Sequence, residues 1–203
     1  MINRLTLTVV IVLAALLVYG CSSFTEDPRE QANEAISSAN EAVSQHNELF
    51  RQTRDAYQEV KEQIETSGGD SEEENAFQEE KERLATAQSD LEEARSNLEE
   101  ARGSLEGVQD LDVDRPVKRY ANVLDGAMES QISAESSEID FYGLLIEDPT
   151  LENNRERAEE LLTQAGDSYQ EAENSYQEAQ ELADSNPSLL GPGPTTVEEG
   201  SGN

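Results

Sequence analysis

Leucine returns every seven residues through the middle of this chain, at Leu84, Leu91, Leu98 and Leu105, with Phe77 ahead of them at the same spacing. Ala87, Ala94, Ala101 and Val108 follow three positions later. Seven residues fall just short of two helical turns, so such a series marks one apolar stripe of a long α-helix and excludes a strand. The same pattern occupies an earlier stretch. Ile36, Val43, Phe50, Tyr57 and Ile64 recur by seven, with Ala39, His46, Thr53 and Val60 three behind and Ala35, Ala42, Leu49 and Ala56 one ahead. Near the end Ala158, Leu162, Ala165, Tyr169, Ala172, Tyr176, Ala179 and Ala183 alternate by three and four. Between these, Val117, Tyr120, Leu124, Ala127 and Met128 give way to Ile132, Ile139, Tyr142 and Ile146, and Gln131, Glu135 and Glu138 interrupt the series. The two glutamates read as a place where the stripe rotates, since facing inward would be costly without partners.

Helix starts divide the chain. Asp27 followed by Pro28 suits an N-cap and a first helical residue, because proline lacks the N–H left unbonded there. Asp148 and Pro149 repeat the pair, Asp114 stands two residues before Pro116, and Ser71 precedes three glutamates where a helix dipole favours negative charge. The expected helices are 27–66, 72–108, 114–146 and 148–184. Each stripe is too narrow to persist alone in water, and short breaks make neighbours antiparallel. The expected fold is all-α: an antiparallel four-helix bundle of long coiled-coil-like helices spanning 27–184, with residues 185–203, rich in Pro, Gly and Ser, as a disordered tail.

The first twenty residues differ in kind. Arg4 precedes an uncharged, mostly aliphatic run at 5–19. As a helix this run is roughly 22 Å long, short of the ~30 Å of a bilayer core, as a secretory signal is. Val18, Tyr19, Gly20 and Cys21 then resemble the lipobox of bacterial lipoproteins, with Tyr19 bulkier than that pattern prefers. The resemblance covers residues 1–21 only. It implies a signal peptide at 1–20, cleavage between Gly20 and Cys21, diacylglycerol and acyl chains on Cys21, and a lipidated tether at 21–26. The alternative is that 5–24 remains as an uncleaved anchor. On either reading the mature chain is extracytoplasmic, held at the cell membrane, and the outer membrane is open to it in a two-membrane cell. Cys21 is the single cysteine, so no intrachain disulfide forms.

Across 203 residues, 45 acidic against 14 basic side chains leave a formal charge of −31. Nucleic acid and anionic headgroups are repelled by such a surface, and a basic envelope protein is the partner it favours. Exposed heptad positions allow a homo-oligomer. His46 is the only histidine and lies on an apolar stripe, where a hydrogen-bonded packing role is the expectation. Asp110, Asp112 and Asp114 begin as a calcium loop does, but Arg115 stands where glycine is needed and Ala121 where the bidentate glutamate belongs. Glu72, Glu73, Glu74, Glu79, Glu80 and Glu82 read as a solvated face. No catalytic set, cofactor or metal site is expected. The functional expectation is a non-enzymatic, lipid-anchored spacer or docking platform of the cell envelope. The alternative is a ligand- or divalent-cation-binding accessory lipoprotein that uses the core near His46, Tyr57, Tyr169 and Tyr176.

Overall fold

The computed structural model describes residues 27–67 and 77–187. Among these the protein is an all-α helical bundle of four helices: α1 (Pro28–Ser67), α2 (Gln78–Leu105), α3 (Arg115–Glu147) and α4 (Arg155–Ser185). A 3₁₀ turn, Glu106–Gln109, follows α2, and no strand occurs among the described residues. The signal segment, Cys21, the tether, the helix start expected at 71–74 and the tail beyond 187 lie outside the described residues. No described helix is long and apolar enough to cross a membrane.

Side-chain contacts link each helix to the next. Ser38 of α1 lies 3.3 Å from Ser104 of α2, and Arg83 of α2 reaches Gln63 of α1 at 3.3 Å. Arg102 of α2 bonds Asp125 of α3 at 2.8 Å, and Arg95 meets Ser136 at 3.4 Å. Arg119 of α3 bonds Glu178 of α4 at 2.8 Å, and Ser168 meets Ser133 at 3.5 Å.

The heptad columns form the interior. Leu84, Leu91 and Leu98 are fully buried, and each such leucine contributes about 1.5–3 kcal/mol relative to leaving it in water. Ala87 and Ala94 between them let the helix axes approach closely. On α1 the deeply buried column is Ala39, His46, Thr53 and Val60, whereas Val43, Phe50, Tyr57 and Ile64 are only half-buried. Phe77 heads the leucine series in sequence, but it is the left-handed residue (φ 67°) before α2 and is half-buried.

On α3 the buried stripe runs unbroken from Val117 to Leu145 and includes Gln131, Glu135 and Glu138. The expected rotation of the stripe at the glutamates is therefore incorrect. Glu135 is 0% and Glu138 6% exposed, because side chains of α1 and α4 meet their carboxylates. Two apolar clusters lie on either side of this level. One gathers Ile36, Leu105, Leu124 and Ala183 near the start of α1 and the end of α4. The other gathers Val60, Leu84, Tyr142 and Leu161 near the turn between α3 and α4.

Asp27 caps α1 as its sequence suggests. Its Oδ1 accepts the Arg29 N–H at 2.9 Å, its carbonyl accepts the Gln31 N–H at 3.0 Å, and Pro28 is the first helical residue. Asp114 holds the N-cap position of α3 through its carbonyl alone, and its carboxylate makes no capping bond. The second Asp-Pro pair does not open a helix. Asp148 closes α3, its N–H bonding the Leu144 carbonyl at 2.8 Å, and the next helix begins at Arg155 rather than 148. The Asp148 carboxylate instead ties down the turn, accepting the Asn153 N–H at 2.9 Å and the Thr150 hydroxyl at 3.2 Å. Burial works against the charged form, but these bonds, with others from Glu152 and Asn154, hold the carboxyl below its ordinary range. Asp148→Ala is expected to lower stability by about 1–2 kcal/mol through the loss of these bonds, read as a lower urea midpoint at unchanged slope.

Candidate functional site

Midway along the bundle a layer of polar side chains replaces the leucines and alanines. The heptad column of α1 places His46 there, and the 3–4 stripe of α3 places Gln131, Glu135 and Glu138 on the facing side. His46 Nε2 lies 2.6 Å from Glu135 Oε1, with both side chains fully buried. His46 Nδ1 meets Asn47 Oδ1 at 3.1 Å. His46 Nε2 also lies 3.1 Å from the side-chain nitrogen of Gln131. Gln131 donates to Glu135 Oε1 at 3.1 Å and accepts the Tyr176 hydroxyl at 2.8 Å. Glu138 accepts two tyrosine hydroxyls, Tyr142 at 2.8 Å and Tyr169 at 2.6 Å. The distances suit O–H donors on a carboxylate.

Aromatic rings wall this layer. His46 stacks on Phe50 at 5.4 Å, and Phe50 leans on Tyr169 at 5.7 Å. The Arg54 guanidinium covers both Phe50 and Tyr169, 5.1 and 5.6 Å from their centroids, where a ring face attracts a cation. The tyrosine hydroxyls are held well above their ordinary range. For Tyr142 and Tyr169 burial is the first cause and the Glu138 charge the next. For Tyr176 burial again leads, followed by Glu135. Tyr120, outside the layer, is raised by burial against an opposing hydrogen bond with Asn40. The layer is not fully satisfied: Glu135 Oε2 and Thr53 Oγ1 are buried without a hydrogen-bond partner.

These are the residues a core ligand would have to engage. His46, Tyr169 and Tyr176 direct polar atoms at Glu135, Glu138 and Gln131 respectively. Tyr57 is different. Two turns beyond Phe50 on α1, it stacks on Tyr142 at 5.4 Å and meets Phe141 edge-on at 5.9 Å. Beside it opens a half-enclosed cavity of about 200 Å³. Tyr57, Val60 and Ile64 form its α1 wall, and Phe141 and Leu145 its α3 wall. Pro149 and Leu151 of the following turn close one end, and among the described residues Lys61 is the single charged one lining it. Neither this pit nor the partners of Glu135 and Glu138 has a marker in the one-dimensional pattern.

Asp110, Asp112 and Asp114 serve the connection between α2 and α3, Asp110 closing the 3₁₀ turn through its N–H. Among the described residues no three His, Cys, Asp or Glu side chains gather as a metal site needs. Cys21 and Gly20, the residues of the expected lipidation site, lie outside the described residues. No known protein family, curated protein or solved structure matches the chain.

Proposed function

We propose that the chain is a lipid-anchored, extracytoplasmic lipoprotein of the cell envelope: an acidic, non-enzymatic, antiparallel four-helix bundle with coiled-coil-like packing that acts as a spacer or docking platform. The observation that carries this reading is the placement of Cys21. A signal-like apolar run ends on it, and Asp27 caps the first helix of the bundle only a short tether later. Residues 22–26, fully extended, reach roughly 17 Å, so the bundle stands close to the bilayer. α1, with 40 residues, is about 60 Å long. The start of α1 and the end of α4 share an apolar cluster, so this is the membrane-side pole on the proposed reading, and the α3–α4 turn is the far pole. The high negative charge favours a basic envelope partner and keeps the rod off anionic headgroups.

Mass spectrometry of the mature N-terminus is expected to find Cys21 as the first residue, carrying diacylglycerol. Cys21→Ser is expected to abolish that mass and the processing with it. A variant that stays membrane-bound and unprocessed at its usual abundance would instead establish residues 5–24 as a signal anchor. Docking has its own test: cross-linking in intact membranes should capture a defined envelope partner. Failure to capture one, together with an unaltered envelope on deletion, would reject it.

A further inference from the structure

We propose that the pit between α1, α3 and the turn after α3 is a binding site for a small uncharged molecule with one ring-sized apolar body. The inference rests on the pit alone and holds with or without a lipid anchor. Three of its lining residues, Tyr57, Ile64 and Leu151, pack against a buried cluster that contains Val60, Phe141 and Leu145, yet stay half-buried themselves. Ile36 stands on the same heptad column as Ile64 and is 3% exposed. Apolar surface that the bundle buries elsewhere is therefore left open here, around one hollow. Covering it is favourable in proportion to the apolar area removed from water.

Size and shape restrict the occupant. An apolar cavity of about 150 Å³ accommodates benzene. The pit, at about 200 Å³, has room for one ring and a few further atoms. Its walls are held in place. Tyr57 stacks on Tyr142 at 5.4 Å and meets Phe141 edge-on at 5.9 Å. At the closed end Leu151 sits in the left-handed region at φ 54°, which a leucine occupies only where its surroundings dictate it. The turn supplies that constraint. The Leu151 N–H donates to the Asp148 carbonyl at 3.0 Å, and the Asp148 carboxylate accepts from Thr150 and Asn153 on either side. A wall fixed in this way lowers the ordering cost of binding.

The lining also sets the charge of the ligand. Among the described lining residues only Tyr57 and Lys61 carry polar side-chain atoms, and both already have interactions of their own. Recognition does not rest on either. A charged ligand would give up hydration in an apolar hollow without a partner for its charge, which costs more than one ring gains. An uncharged ring, with at most a hydroxyl left at the open side, avoids that loss. On a chain of net charge −31, binding to the general surface would favour cations instead. The charge of the ligand therefore distinguishes the pit from the surface.

The test titrates the full-length chain, followed by methyl NMR, with three probes of one shape: 2-phenylethanol, phenylacetate and 2-phenylethylamine. The alcohol is expected to shift the methyls of Val60, Ile64, Leu145 and Leu151 along one saturating curve, at roughly millimolar ligand. Methyls of the other apolar cluster, such as those of Ile36 and Leu124, are expected to stay in place. Both ions are expected to bind the pit at least about tenfold more weakly than the alcohol. Ile64→Trp fills the half-buried rim and is expected to abolish the alcohol's binding. Leu151→Gly keeps the turn, because glycine accepts the positive φ, but removes part of the wall, and is expected to weaken the alcohol severalfold. Absence of a saturating shift by the alcohol overturns the proposal, as does either ion binding these methyls as tightly as the alcohol. A folded Ile64→Trp chain of unchanged affinity overturns it too. If Ile64→Trp does not fold, Leu151→Gly decides: unchanged affinity for the alcohol then overturns it.

Discussion

Replacing His46 by leucine is expected to lower the unfolding free energy by about 3–5 kcal/mol, whereas replacing His46 and Glu135 together by leucine is expected to restore most of the loss or exceed it. The single change strands a carboxylate at a position with no solvent exposure. Glu135 Oε1 would keep only the Gln131 amide, and Oε2 has no hydrogen-bond partner even with the imidazole present. A buried charge without its partner carries its full desolvation cost, while the intact pair roughly balances that cost against attraction. Two leucines at this level would join the clusters above and below, which contain Ala42 and Leu124 on one side and Val60 and Ile139 on the other. Urea unfolding followed by circular dichroism measures four chains: wild type, His46→Leu, Glu135→Leu and the double variant. A single variant within about 1 kcal/mol of wild type would mean that the pair is not shielded from water. A double variant as weak as the sum of both single losses would mean that the layer contributes net stability. The same double variant tests whether the layer sets helix register, as isolated polar core residues do in coiled coils. Broadened amide resonances in an equally stable chain would show that role.

The helices were legible because their burial is periodic. Leu84, Leu91, Leu98 and Leu105 must all reach the interior if any one does, and the structure buries all four. The Asp148–Pro149 pair misled because a cap and a turn use the same chemistry. A carboxylate at the first position accepts backbone N–H groups in both, and the decision lay with Asn153, which bonds Asp148 five residues on. Glu135 and Glu138 misled for a different reason. Their cost in the interior depends on His46, Tyr142 and Tyr169, and two of these come from other helices, distant in sequence. His46 was placed correctly by its column, but its partner has no signature in α1. The pit was invisible in the sequence. It depends on where α1, α3 and the turn after α3 part company, and Tyr57 and Ile64 occupy positions that in Ile36 are simply core.

Raising the pH above 10 is expected to unfold the bundle cooperatively, with four tyrosines as the principal cause. Tyr120, Tyr142, Tyr169 and Tyr176 all hold their protons above the ordinary tyrosine range, burial being the first cause in each. The sign follows from linkage. The folded pKa lies above the unfolded value of about 10, so the stabilising contribution is complete below pH 10 and declines as pH rises beyond it. Each such tyrosine stays protonated in the folded chain and ionises in the unfolded one, which removes about 1.4 kcal/mol per pH unit. Tyr142, Tyr169 and Tyr176 together remove about 4 kcal/mol per unit, enough to exhaust an ordinary domain's 5–15 kcal/mol within about one to four units, and Tyr120 adds to the slope just above pH 10. Tyrosinate absorbance from these four rings should therefore appear in the same narrow step as the loss of helical ellipticity. Tyr120→Phe separates ionisation from the polar layer, because Tyr120 packs with the apolar cluster at the start of α1 and bonds Asn40 rather than a carboxylate. That variant should unfold at higher pH than wild type, with a shallower dependence of stability on pH. Gradual ionisation of all four near pH 10 with helicity intact would contradict the burial on which the argument stands.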